Sequence, residues 1–113
     1  MGIRVKGYDV SGICREAAEV VRRDGLKKGG FGSKDGPKCA MGAVRYVVGG
    51  DPQEFLDDHL WGAVARTLFR RVRPRSKRGG LVDFSDAART RRHDVVEVLL
   101  DIADYAATHR ALP

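Results

Sequence analysis

A run of positive charge between residues 66 and 78 is the strongest chemical signal in this sequence. It holds seven cations and no acidic residue: Arg66, Arg70, Arg71, Arg73, Arg75, Lys77 and Arg78. Guanidinium and ammonium groups neutralise phosphates, and each contact releases a counterion, so that binding weakens as salt rises. The run therefore predicts contact with nucleic acid or with another polyanion, such as an acidic protein surface.

The same run also has a purely structural interpretation. The helix predicted before it begins with four carboxylates, those of Asp51, Glu54, Asp57 and Asp58. Acidic residues at the start of a helix and arginines at its end complement the helix macrodipole in any protein. Pro74, Ser76 and two glycines predict a flexible basic loop at about 73–80. Such a loop could be exposed to solvent without binding any partner.

The acidic start of that helix also bears on specificity. A DNA-reading helix inserts its N-terminal residues into the major groove, where phosphates would repel carboxylates. We therefore expect any nucleic-acid contact to be electrostatic and to carry little base specificity.

A glycine-rich loop before the second predicted helix provides another candidate site. Its backbone amides could cradle a phosphate, with Lys34 or Lys38 adding charge. The pattern matches neither the P-loop nor the dinucleotide fingerprint, and we favour a plain connecting turn as its explanation. Lys34, Cys39 and Asp86 are the residues that would form a small-molecule or nucleotide pocket here.

Cys39 is the candidate nucleophile in this region. A thiolate is stabilised near a helix N-terminus, and His59 or His93 would have to serve as its base. Its neighbours Gly42 and Ala43 share its helical face, and such small residues predict burial and the close approach of another element. We expect a structural cysteine and assign no catalytic residue.

The last predicted helix carries a stripe of carboxylates, formed by Asp94, Glu97, Asp101 and Asp104. Paired carboxylates can bind a metal ion, but an acidic stripe beside an apolar face is typical of surface helices. The stripe could also pair with a basic surface, including residues 66–78 of a second copy. We expect no metal site and no cofactor.

Composition limits the class of protein. The 113 residues are 42% hydrophobic and 32% charged, which is typical of one globular domain spanning residues 1–113. The net charge of +6 favours an anionic partner. The sequence shows neither a membrane-length apolar run nor a signal peptide, and its two cysteines are isolated. We expect a cytoplasmic monomer or homodimer without a membrane partner.

Hydrophobic periodicity predicts a mainly α fold, a compact four-helix single domain with one or two short β-strands. The first helix begins at Asp9 or Ser11 and ends at Gly25. The other three are predicted at about 38–48, 52–72 and 91–109, with starts at Pro37, at Asp51-Pro52 and at Thr90.

Strands are predicted at Ile3–Val5 and Leu81–Phe84, and these two are expected to pair. The residues predicted to form the core are Ile13, Ala17, Val20, Val44, Leu60, Trp61, Val64, Leu68, Val95, Leu99 and Ile102.

Three short motifs resemble a family of small uncharacterised bacterial and phage proteins, a domain of unknown function. They are Cys39-Ala40-Met41-Gly42-Ala43, Val82-Asp83-Phe84-Ser85-Asp86, and Thr90 leading into Val95-Val96-Glu97-Val98-Leu99-Leu100. Members of that family carry Cys-Ala-Ile-Gly-Ala at the first place and Trp-Asn-Asp at the second, where this chain has Phe84-Ser85-Asp86. The resemblance covers roughly residues 12–106. It implies a small, mostly helical domain and no particular activity.

The sequence thus favours a non-enzymatic binding or regulatory protein, of phage or bacterial origin, that contacts nucleic acid through the basic run. Two alternatives stay open. One is a protein–protein effector that modulates a host protein through its charged helix faces or the glycine-rich loop. The other is a small-molecule or nucleotide pocket near that loop.

Overall fold

The computed structural model describes residues 2–53 and 57–113. Its elements in chain order are β1 (Arg4–Val5), β2 (Tyr8–Asp9), α1 (Val10–Asp24), α2 (Ala40–Gly49), α3 (Asp58–Val72), α4 (Leu81–Asp86) and α5 (Arg92–Thr108). The prediction of a mainly helical fold with a short strand pair is confirmed. The count of four helices is wrong, because the described ranges contain five.

The core lies between α1 and α5, which pack against each other more extensively than any other pair of elements. α2 packs on α1, and α3 packs on α5. Ala17 and Val21 of α1 and Leu99 and Ala103 of α5 are completely shielded from solvent, as the helical periodicity predicts. Every predicted core residue is buried except Leu60, which is partly buried and packs against the edge of the core.

The N-terminal strand has a different partner from the one predicted. β1 pairs with β2 in an antiparallel hairpin, with Arg4 opposite Asp9 and Val5 opposite Tyr8. The two-residue turn between them is Lys6-Gly7, and both residues have positive φ, at 49° and 82°. Two positive φ angles are typical of a type I′ turn, whose twist matches that of the strands. A local turn therefore replaces the long-range pairing with residues 81–84.

The segment predicted as the second strand is helical. In α4, Leu81 and Ser85 are one helical turn apart, and both are buried. The amide of Phe84 donates to the carbonyl of Gly80 at 3.0 Å, which closes the first turn. The two buried positions are four residues apart, which fits the period of a helix and not of a strand with one face buried.

Three of the predicted helix starts are also wrong. α2 begins after Cys39, so Pro37 lies in the preceding loop. α3 begins at Asp58, and Asp51 instead accepts a hydrogen bond from the amide of Gln53 at 2.9 Å. Residues 54–56 of the predicted helix, with the carboxylate of Glu54, lie outside the described residues. α5 is capped by Arg91 rather than by Thr90.

Candidate functional site

The seven cations between residues 66 and 78, called the basic segment below, divide into two groups in the structure. The first group faces α5. The guanidinium of Arg73 lies 2.7 Å from a carboxylate oxygen of Asp101 and 3.9 Å from one of Glu97. The guanidinium of Arg71 lies 5.8 Å from the ring centroid of Tyr105, a cation–π distance. Arg71 and Arg73 therefore join the basic segment to the body of the protein.

The second group points to solvent. Arg66, Arg70, Arg75, Lys77 and Arg78 are exposed. Within residues 2–53 and 57–113, none of the five forms an ion pair. Several other arginines do have a carboxylate partner, at sites such as Arg15–Asp104 and Arg23–Asp24. Exposed cations elsewhere in the described ranges, such as Arg89 and Arg110, also lack an ion pair, so the basic segment stands out as a long run of unpaired cations and not as their only location.

The loop at 73–80 is held at both ends. Arg73 fixes its start to α5, and the Nε of Arg70 donates to the carbonyl of Gly79 at 3.2 Å near its end. Between these points, the amide of Ser76 donates to the carbonyl of Arg73, and the amide of Arg78 donates to the Ser76 hydroxyl. Flexibility of the stretch between the two anchors stays a prediction.

A groove of about 600 Å³ lies beside the basic segment, between α3 and residues 79–83. Arg66 and Arg70 line it from α3, together with His59 and Gly62. Sequence reasoning missed this groove because its two walls, at residues 58–70 and 79–83, come together only through the fold of the loop between them. The one available signal was Gly62, a glycine inside a helix, where alanine is favoured.

The glycine-rich loop is folded around Lys38. This lysine is completely buried, and its ammonium donates at 3.0 Å to the Asp24 carboxylate and to the carbonyls of Lys34 and Gly36. The ring centroid of Tyr46 lies 4.5 Å from the same nitrogen. Lys38 is therefore fully used inside the protein and is not available to a phosphate.

Four amides in and beside that loop are also engaged. Lys27 donates to the carbonyl of Lys38, Lys38 to that of Gly25, and Gly36 to that of Ser33. The amide of Gly29 donates to the carboxylate of Asp86 at 3.2 Å. A phosphate cradle needs free amides, and these four already have partners. The interpretation of the loop as a connecting turn agrees better with the structure.

Cys39 has a structural role. It is 1% exposed, and its sulfur accepts a hydrogen bond from the amide of Gly42 at 3.3 Å, so that it caps α2. Burial raises the pKa of the Cys39 thiol and raises that of Cys14 to about 12, so both stay protonated at neutral pH. The two proposed bases lie on exposed surfaces, His59 on α3 and His93 beside Asp94. The geometry does not support a nucleophile at Cys39.

The candidate pocket residues do not surround one cavity. Cys39 is buried, and Asp86 is exposed and contacts the amide of Gly29. Lys34 lines a different groove, beside Arg15 and Tyr46. The structure instead brings together their chain neighbours, Ala40 after Cys39 and Ser85 before Asp86. The Ser85 hydroxyl, completely buried, accepts a hydrogen bond from the amide of Ala40 at 3.0 Å.

Lys28 binds the same region from the protein surface. Its ammonium donates to the carbonyls of Ser85, Ala87 and Thr90 at the C-terminal end of α4. Positive charge at that end of a helix satisfies carbonyls that lack intrahelical partners. Hydrogen bonds therefore join residues 28–29 to residues 85–90 and hold the glycine-rich loop against the end of α4.

The acidic stripe of α5 is divided among internal partners. Asp101 and Glu97 face Arg73, Asp104 lies 2.8 Å from Arg15, and Asp94 accepts from the amide of Arg91 at 2.8 Å. In the described ranges, no group of three or more His, Cys, Asp and Glu side chains is arranged to hold a metal ion.

The three motifs that suggested a family now have structural places, at the start of α2, in α4 and in α5. Residues 6–105 match the Family of unknown function (DUF6197). The chain belongs to this family. Comparison with curated proteins and with solved structures gave no match. None of the helices in the part of the chain that the structure describes combines the length and the apolar character needed to cross a bilayer.

Proposed function

We propose that this protein is a non-enzymatic, regulatory accessory that binds nucleic acid through the exposed part of the basic segment. One observation carries the proposal: five neighbouring cations are exposed and have no carboxylate partner among the described residues. They are Arg66, Arg70, Arg75, Lys77 and Arg78. We further propose that the protein acts in the cytoplasm, as a monomer or homodimer.

Charge supports this proposal more strongly than shape does. Cations that lack an internal partner attract polyanions, and the net charge of +6 adds a favourable long-range field. Phosphate contacts fix position without reading sequence. The first turn of α3 does not offer a recognition surface, because it carries Asp58. Binding should therefore be tolerant of base sequence.

The test is the salt dependence of binding to a labelled duplex, measured by fluorescence anisotropy. Five phosphate contacts predict a slope of about −4.5 in a plot of log affinity against log salt, which is a loss of a few hundredfold between 50 and 200 mM. The variant Arg75→Ala/Lys77→Ala/Arg78→Ala should reduce that slope by about 2.7. Arg73 is left intact because it contacts α5.

A matched control removes the same charge elsewhere. Lys27, Lys34 and Arg110 are exposed cations outside the basic segment, and replacing all three with alanine gives the same net charge. This control should keep most of the wild-type slope. Equal slopes for the two triple variants, or binding that ignores salt, would overturn the proposal. A stoichiometric protein partner recovered after nuclease treatment would then favour the effector alternative.

A further inference from the structure

The groove between α3 and residues 79–83 is open along one side of α3. Gly62 and Ala63 form its middle, and a Cβ added at Gly62 would meet no atom within 4 Å. A glycine inside a helix lowers stability relative to alanine, and no contact in the described structure requires one here. The absence of a side chain at residue 62 keeps the groove open.

The opposite wall of the groove also contains residues without side chains. Gly79 and Gly80 line it, followed by Leu81 at the start of α4. Met41 and Phe31 contribute apolar surface from α2 and the glycine-rich loop. The volume of about 600 Å³ lies within the range of small-ligand sites, roughly 300–1,000 Å³. The groove can therefore hold a flat ring against apolar and backbone surface.

Two arginines line the groove. Arg66 and Arg70 are one turn apart on α3, and the methylenes of Arg66 lie next to Gly80. Arg70 uses Nε on the carbonyl of Gly79, and its terminal nitrogens have no hydrogen-bond partner in the described ranges. A guanidinium held in this way presents its remaining donors to an anion. Asp58 and Asp83 line the groove as well. The Asp58 carboxylate lies 3.6 Å from the Arg45 guanidinium, and Asp83 offers acceptor oxygens.

We propose that this groove binds one nucleotide of a single strand, with its phosphate at Arg66 and Arg70 and its unstacked base over the small residues of α3. This inference rests on the proposed function. The wall that holds Gly79 follows Arg75, Lys77 and Arg78 directly in the chain, so neighbouring phosphates of the same strand reach the rest of the basic segment. A single strand can splay a base into a concave surface, whereas a duplex keeps its bases stacked inside.

The experiment compares a single strand of about a dozen nucleotides with its duplex at equal salt, by anisotropy, for the wild type and two variants. Gly62→Trp fills the groove from a position where a side chain has room, and Gly62→Ala is the matched control. We expect Gly62→Trp to weaken single-strand binding about tenfold while duplex binding stays unchanged, and Gly62→Ala to change neither by more than about twofold. Circular dichroism should show both variants folded.

The outcomes separate the two proposals. Equal affinity of the wild type for strand and duplex, or an unchanged single-strand affinity in folded Gly62→Trp, overturns the groove inference and leaves electrostatic binding standing. Loss of binding to both nucleic acids in Gly62→Trp would also overturn it, because the groove would then not discriminate between them. Absence of binding by the wild type at low salt overturns both proposals. A mononucleotide that competes as well as the strand would mean that the groove binds free nucleotides, which contradicts the assignment to a single strand.

Discussion

At the scale of single residues, the absence of a Cβ at Gly42 lets the glycine-rich loop pack closely against α2. A Cβ built on Gly42 would overlap the carbonyl oxygen of Phe31. The prediction that small residues on this helix allow another element to come close is confirmed, and the element is the loop at residue 31. Gly62 in α3 is the opposite case, because a Cβ there has open space around it.

These two glycines provide a matched pair of substitutions. Gly42→Ala should destabilise the protein by about 2 kcal/mol, because the Phe31 backbone must move. Gly62→Ala should stabilise it by about 0.5–1 kcal/mol, because alanine favours the helix and meets no obstacle. Urea unfolding followed by circular dichroism measures both. Similar effects of the two substitutions would contradict the packing at Gly42.

Asp24 is the residue whose ionisation matters most for the loop. Its carboxylate accepts two hydrogen bonds from Arg23, at 2.8 and 3.0 Å, and one from the buried Lys38. The hydrogen bonds from Arg23, followed by that from Lys38, hold the pKa of Asp24 well below its ordinary value of 3.8. The charged form is therefore favoured in the folded state.

This lowered pKa predicts a pH dependence. Since the unfolded state binds the proton more readily, the contribution of Asp24 to stability is complete above its ordinary pKa and is lost as pH falls below about 4. Asp24→Asn should lower the melting temperature at neutral pH and reduce the further loss on acidification. Asp35→Asn, in an exposed part of the same loop, is the control. If the melting temperature of Asp24→Asn fell as steeply with decreasing pH as that of the wild type, this role would be ruled out.

At the scale of elements, the N-terminus of α2 is satisfied by a residue of another helix. The amide of Gly42 donates to Cys39, and that of Ala40 donates to Ser85 on α4. The first cap is local in sequence, and the second joins residues 45 positions apart. This contact helps to hold the helix 81–86 against α2.

The long-range cap predicts the effect of one substitution. Ser85→Ala leaves the buried amide of Ala40 without an acceptor, which should cost about 1–2 kcal/mol of stability. Ser33→Ala, at an exposed loop position, should change stability by less than about 0.5 kcal/mol. Thermal unfolding of the two variants makes the comparison. A neutral Ser85→Ala would mean that another group caps α2.

At the scale of the whole molecule, charge is distributed unevenly. α5 carries the acidic stripe, and most of its carboxylates face arginines of other elements. A run of exposed cations without ion pairs lies at the end of α3 and in the following loop. A surface organised in this way should retain nucleic acid when salt is low and release it when salt is high.

Purification therefore offers a direct check of the molecular charge distribution. The ratio of absorbance at 260 nm to that at 280 nm should be high after purification at low salt and should fall after a high-salt wash, because added cations compete for the phosphates. The triple variant of Arg75, Lys77 and Arg78 should show little change. A low ratio for the wild type at low salt would contradict the expected retention.

The sequence alone determined the helical class, the family and most of the core. Periodic apolar residues such as Val95, Leu99 and Ile102 predict their own buried face, because a helix repeats every 3.6 residues whatever it packs against. The positive charge of the basic segment was equally visible, since composition does not depend on the fold.

Only the tertiary structure decided which polar groups are used internally. Lys38 and Arg73 look like surface cations in the sequence, yet one is buried against Asp24 and the other lies against Asp101. The groove at Gly62 also exists only because α3 and residues 79–83 come together. Such contacts join distant parts of the chain, so local pattern cannot specify them, and they separate the cations that hold the fold together from those that stay exposed.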